Sequence, residues 1–128
     1  MEIAFAKSGG LVPAIIQDSR TDKVLMLGFM DAEALAETQR TRQAVFFSRS
    51  RNRLWRKGES SGHVLRVLEI RIDCDADALL LRVEPLGPGV CHQGYGSCFF
   101  RQLEGNGSIR TIEERTFDPA KVYAPGAE

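Results

Sequence analysis

"HVLRVLEIRIDCDADALLLRVEPL", residues 63–86, carries the pattern on which the fold turns. From Leu68 onward its residues alternate, with Leu68, Ile70, Ile72 and Cys74 on one side and Glu69, Arg71 and Asp73 on the other. Period two with one wetted face marks a half-buried strand of the kind antiparallel sheets use. "ALLLRVEPL" reads as a further strand, and the aspartate-rich "DCDAD" joins the two through a tight connection.

Working upstream, "QAVFFSRS" and "RLWRKG" flank Arg51 and Asn52, a turn pair, so a second hairpin is expected there. Asp31 offers an N-cap to "AEALAETQRT", a run of good helix formers. "GLVPAIIQD" and "DKVLMLGFM" are apolar, β-branched runs separated by the polar "SRT", which predicts a hairpin near the N-terminus. Downstream, "CFFRQLE" and "SIRTIEERTF" bracket the turn signal "GNG", and the tail from about residue 118 is too poor in apolar residues to predict as an element. The expectation is one α+β domain over residues 1–128, mostly antiparallel sheet with one or more short helices.

Composition agrees with a single domain. A chain of 128 residues, 43% hydrophobic, can bury one real core. Its 17 basic and 17 acidic residues cancel, which argues against nucleic-acid or membrane binding driven by net charge. The opening "MEIAFAKSGGLVPAII" lacks a basic region followed by a continuous apolar core, and no stretch is long enough to span a bilayer, so a cytoplasmic protein is expected. Three cysteines cannot all pair within one chain, and reduced thiols are free to serve as metal ligands.

The connection at 73–77 then raises a chemical question, because a soft thiol sits among hard carboxylates. If the strand keeps its phase, Cys74 points with the isoleucines while Asp73 and Asp75 point away, and a turn can bring Asp77 round to them. Clustered carboxylates suit Mg²⁺, and a thiolate suits Zn²⁺. The plainer reading is that aspartates favour turns and Cys74 is a small buried hydrophobe. "GPGVCHQGYGSCFF" places Cys91 and Cys98 around a glycine-rich loop that also holds His92, so two thiols can converge and Cys74 would complete three. Three protein ligands leave a fourth position for water, whereas His92 as a fourth ligand would close a structural site.

"FFSRSRNRLWRKGESSGH" concentrates Arg49, Arg51, Arg53, Arg56 and Lys57 ahead of Glu59, then Ser60, Ser61, Gly62 and His63. Guanidinium groups and the N–H groups of a Gly/Ser loop bind phosphate oxygens, and Trp55 could stack on a base or pack in the core. A solvated basic hairpin or an RNA-contacting surface would use the same residues.

Over most of its length, from "GLVPAIIQD" to "CFFRQ", the chain resembles the phosphoribosyl-AMP cyclohydrolase family of histidine biosynthesis. The motifs that carry the resemblance are "FSRSRNRLWRKGESSGH", "DCDADALL" and "CHQGYGSCFF". The departures are small: Gly28 and Phe29 stand where the family more often has Ala and Tyr, and Gln93 where Thr is frequent.

The resemblance implies zinc held by Cys74, Cys91 and Cys98, with thiolates from both subunits of a homodimer sharing each ion, and Mg²⁺ at Asp73, Asp75 and Asp77. It implies a substrate, phosphoribosyl-AMP, whose N1–C6 bond is hydrolysed. His92, next to an expected zinc ligand, is the first candidate for proton transfer and His63 the second, because imidazole is the side chain best matched to neutral pH. Arg49, Arg51, Trp55, Arg56, Lys57, Ser60 and Ser61 would bind the substrate. Some relatives carry a second, pyrophosphohydrolase domain; the expectation here is a monofunctional enzyme with no nucleic-acid or membrane partner. A non-catalytic zinc module binding nucleotide or RNA is the competing expectation.

Overall fold

A computed structural model describes residues 2–123. Strands β1 (Val12–Asp18) and β2 (Val24–Met30) form the expected N-terminal hairpin. Helix α1 (Ala32–Thr41) follows directly. The Asp31 carboxylate accepts from the Ala34 N–H at 2.7 Å, and Arg42 ends the helix with a left-handed φ of 60°. β3 (Val45–Ser48) and β4 (Arg53–Arg56) make the second hairpin, turned by Asn52 at φ 50°. β5 (Leu65–Ile72) and β6 (Leu79–Pro85) pair antiparallel, and β7 (Arg101–Leu103) and β8 (Ile109–Thr111) close a short ribbon.

The main sheet has the order β2-β1-β6-β5, and its inner pair, β1 with β6, runs parallel. One pair therefore departs from the otherwise antiparallel pairing expected from sequence. Its cause lies in the connection: the helix and the β3–β4 hairpin intervene between β1 and β6, and such a long crossover permits parallel pairing. Val12, Ala14, Ile16, Leu79, Leu81 and Val83 share the buried face of this inner pair. α1 packs Ala34, Leu35 and Thr38 over it, and Val45 and Phe46 of β3 complete the core.

Two sequence expectations are corrected. Leu68 does not share a face with Ile70 and Ile72, because the register shifts between Val67 and Glu69 and Leu68 becomes the extra residue of a bulge, 45% exposed. Leu65 and Val67 are buried in the odd phase, while Ile70 and Ile72 pair with Leu81 and Leu79 in the even phase, and only an inserted residue reconciles the two. Cys74 does not extend that strand either. β5 ends at Ile72, and Cys74 sits exposed in the turn that leads to β6.

At the ends, a 3-10 turn spans Phe5–Ser8 and another spans Pro119–Lys121, inside the tail left unassigned from sequence. The Asp118 side chain caps the second by accepting from the Ala120 N–H at 3.0 Å. The remainder of the tail, 124–128, lies outside the described residues. Among the described residues no helix is long and apolar enough to cross a membrane.

Candidate active site

The β3–β4 hairpin supplies one wall of a cleft of about 270 Å³. Ser48, Ser50, Arg51 and Trp55 come from the hairpin, Lys57 and Glu59 from the loop after it, and His92 from the cysteine loop. Trp55 is anchored by Phe46, with ring centroids 5.2 Å apart. Lys57 is 5% exposed, with its ammonium 5.8 Å from the Trp55 ring. Gly58 makes that burial possible: its φ is +90°, and a Cβ there would fall 2.6 Å from the Val64 nitrogen.

Arg53 is drawn off by Glu59 at 3.2 Å, whereas none of the described carboxylates pairs with Arg49, Arg51, Arg56 or Lys57. The basic run thus leaves two cations, Arg51 and Lys57, without an anion at this cleft. Arg49 lies beyond it, its guanidinium 4.1 Å above the Phe29 ring, in an adjoining cleft also lined by Ser50 and Trp55. Arg56, Ser60, Ser61 and His63 do not line either cleft. Ser61 Oγ instead accepts from the His63 N–H at 3.1 Å, which shapes the loop.

The cysteine loop is fastened to β2 from two directions. The Cys98 N–H donates to the Leu25 carbonyl at 2.7 Å, and the buried Ser97 hydroxyl donates to the Val24 carbonyl at 2.8 Å. Within the loop, Cys91 N–H donates to Tyr95 O and Gly94 N–H to Cys91 O, both at 3.0 Å, a tight turn that Gly94 permits at φ +98°. His63 pins the near end: its Nδ1 lies 3.1 Å from the Gly89 carbonyl oxygen and its ring meets Phe117 edge-on at 4.9 Å. A carbonyl only accepts, so Nδ1 carries the proton. The two histidines therefore separate, His92 facing the cleft and His63 holding the loop.

Cys91 and Cys98 lie close enough for their sulfurs to interact. Desolvation around its sulfur, then the neighbouring Cys91, pushes the Cys98 thiol up to about 11, against the lowering influence of Lys57. The residue as a whole remains exposed. Cys74 is not with them: among the described residues the one cluster of three potential ligand atoms lying close together is Asp73, Asp75 and Asp77, within 4.8 Å of one another.

Asp73 Oδ1 accepts from the N–H groups of Asp77 at 3.0 Å and Ala78 at 3.1 Å. Lys7 Nζ bridges Asp75 at 3.0 Å and Asp77 at 2.9 Å. The hydrogen bond from Lys7 is the chief cause holding the Asp75 carboxyl down at about 2. Lys7 lies far from these aspartates in sequence, and its part in the cluster carried no local signal.

A family model described as phosphoribosyl-AMP cyclohydrolase matches residues 26–100. The chain belongs to the phosphoribosyl-AMP cyclohydrolase family. Proteins of that name are similar to it over nearly its whole length: one from Solibacter usitatus is 55% identical, covering 96% of this chain and 97% of its own. Another from Desulforapulum autotrophicum is 52% identical over 96% and 98%. One from Rhizorhabdus wittichii is 57% identical over 83% and 86%.

The donor chemistry of this cyclohydrolase-family chain fits two different cations. Adjacent thiols that suffer from each other's charge gain from a borderline-soft ion between them, and Cys91 with Cys98 could hold zinc. The three carboxylates already gather an ammonium, so a hard cation such as Mg²⁺ could be held in its stead. Sequence reasoning missed Ser48, Ser50 and Glu59 in the cleft. The two serines alternate with the arginines it singled out, and that alternation was the available signal.

Proposed function

We propose that this chain hydrolyses the N1–C6 bond of phosphoribosyl-AMP, a step of histidine biosynthesis, in the cleft between the β3–β4 hairpin and the cysteine loop. The observation that carries this reading is the meeting of His92 with Lys57, Arg51 and Trp55 in one cleft, in a chain of this family. The competing RNA-binding module gains no support from this cleft, where Arg51 and Lys57 stand beside an imidazole in a concave site.

Cys91 and Cys98 of one chain, with Cys74 of a second copy, would hold zinc. In support, Cys74 is exposed and does not gather with the other two thiols as a group of three ligands among the described residues. Phe99, Leu103 and Ile109, 54%, 72% and 68% exposed, follow Cys98 along the chain and offer apolar surface for a homodimer contact beside the thiols. Zinc, when bound, supplies a Lewis acid that activates water near neutral pH. Asp73, Asp75 and Asp77 would hold Mg²⁺. Thiols that must stay reduced suit a cytoplasmic location.

The chain's own residues do the remaining work. Trp55 gives the purine a flat wall, and the cations around it hold the phosphates. His92 accepts a proton from the attacking water as its oxygen bonds to C6, the N1–C6 bond then breaks, and N1 takes up a proton. His63, held at Nδ1 by the Gly89 carbonyl, positions the loop, and it stays the second candidate for proton transfer through Nε2. The test is direct: zinc-loaded protein given phosphoribosyl-AMP should open the purine ring, followed by absorbance. His92→Ala, with zinc content unchanged, should lower kcat by about a hundredfold or more. Absence of turnover by the loaded protein overturns the function, and an unchanged rate in the variant removes His92 from it.

A further inference from the structure

We infer that Trp55 divides two phosphate-reading chambers, with Lys57 receiving the ribose 5-phosphate joined to N1 of the purine and Arg49 receiving the phosphate on the N9 side. This rests on the cyclohydrolase reading and assigns the ends of its substrate. Two clefts of about 270 and 590 Å³ meet at Ser50 and Trp55. Phosphoribosyl-AMP has a matching two-ended form, a flat ring with a phosphorylated sugar at either end.

The orientation follows from covalent structure. C6 is bonded to N1, so the sugar on N1 must lie on the side where the reacting carbon is held. That side is the smaller cleft, where His92 stands. Lys57 is 5% exposed, and its ammonium makes no hydrogen bond or ion pair among the described residues. Its stem is packed away while the ammonium stands at the wall of the cleft, so a phosphate entering there meets a cation with no anion of its own. In the larger cleft Arg49 is stacked on Phe29, which orients the guanidinium and leaves its N–H edge for a phosphate. Arg53 is excluded from either task by its pairing with Glu59.

Trp55 is the single tryptophan of the chain, so its fluorescence reports on both chambers. Zinc-loaded protein is titrated with ribose 5-phosphate, standing for the N1 arm, and with AMP, standing for the N9 arm. Lys57→Met should weaken ribose 5-phosphate about tenfold or more and leave AMP within about twofold, while Arg49→Met should do the reverse. Lys57→Arg and Arg49→Lys, which keep the charge, should recover most of the binding and guard against a folding defect. Equal weakening of both probes by either Met variant overturns the assignment. So does a wild-type fluorescence that answers neither probe. Turnover of phosphoribosyl-AMP by the same wild-type sample separates the two levels: turnover with undivided probe binding sinks only the assignment, and no turnover sinks the cyclohydrolase reading itself.

Discussion

A Cβ built on Gly28 would collide with Cδ1 of Phe46, a ring with no exposed surface. Phe46 in turn anchors Trp55, so a bare glycine in β2 sets how deep the wall of the active cleft can sit. Gly28→Ala is expected to destabilise the fold by about 1–3 kcal/mol, measured by denaturant unfolding. Adding Phe46→Leu should recover part of that loss if the clash is its cause, and a strictly additive pair would point elsewhere. The glycine was visible in the sequence as a departure from the family's usual alanine, but its partner across the core was not. Asp75 offers a second test at this scale. Its carboxyl is held at about 2 by Lys7, below the ordinary aspartate value, so the link contributes above that ordinary value and is lost as pH falls through about 2. An NMR titration of Asp75 should show that low midpoint, and Lys7→Met should return it to the usual carboxylate range.

Helix α1 and strand β3 are joined by a side chain. Thr38 Oγ1 donates to the Ala34 carbonyl at 2.9 Å and accepts from the Val45 N–H at 3.0 Å, entirely out of water. Thr38→Val keeps the shape but leaves that N–H unanswered, and a loss of about 1–3 kcal/mol is expected by thermal or denaturant unfolding. An unchanged stability would mean another group reaches the amide. The elements themselves were legible: α1 begins one residue after the expected cap, and the hairpins β1–β2, β3–β4, β5–β6 and β7–β8 fall where turn residues placed them. The bulge at Leu68 was hidden because two overlapping apolar phases, Leu65 with Val67 and Leu68 with Ile70, are each consistent with a straight strand. Local periodicity has no means of choosing between them, since the choice is made by the partner strand β6.

At the scale of the whole molecule, the closeness of the three aspartates was legible in the sequence, and the place of Cys74 relative to the other two thiols was not a matter of local pattern. Spacing brought Cys91 and Cys98 onto one loop, whereas the separation of Cys74 from them follows from where the β5–β6 turn ends up in space. A shared zinc site makes a sharp prediction. Cys74→Ser and Cys91→Ser should each be inactive alone, yet mixing equal amounts under exchange should restore about a quarter of wild-type activity, because half the dimers are mixed and each holds one intact site. A mixture that stays inactive would place all three thiols in one copy or none in the reaction.

The parallel pairing of β1 with β6 has a further consequence, for the order of events during synthesis. Ala14 is made early but its neighbour in the sheet is Leu79, so the inner edge of the first hairpin stays open until most of the chain has left the ribosome. During that interval the edge of β1 from Ala14 to Asp18 lacks the strand that covers it in the finished fold, the kind of open apolar edge through which incomplete chains pair with one another.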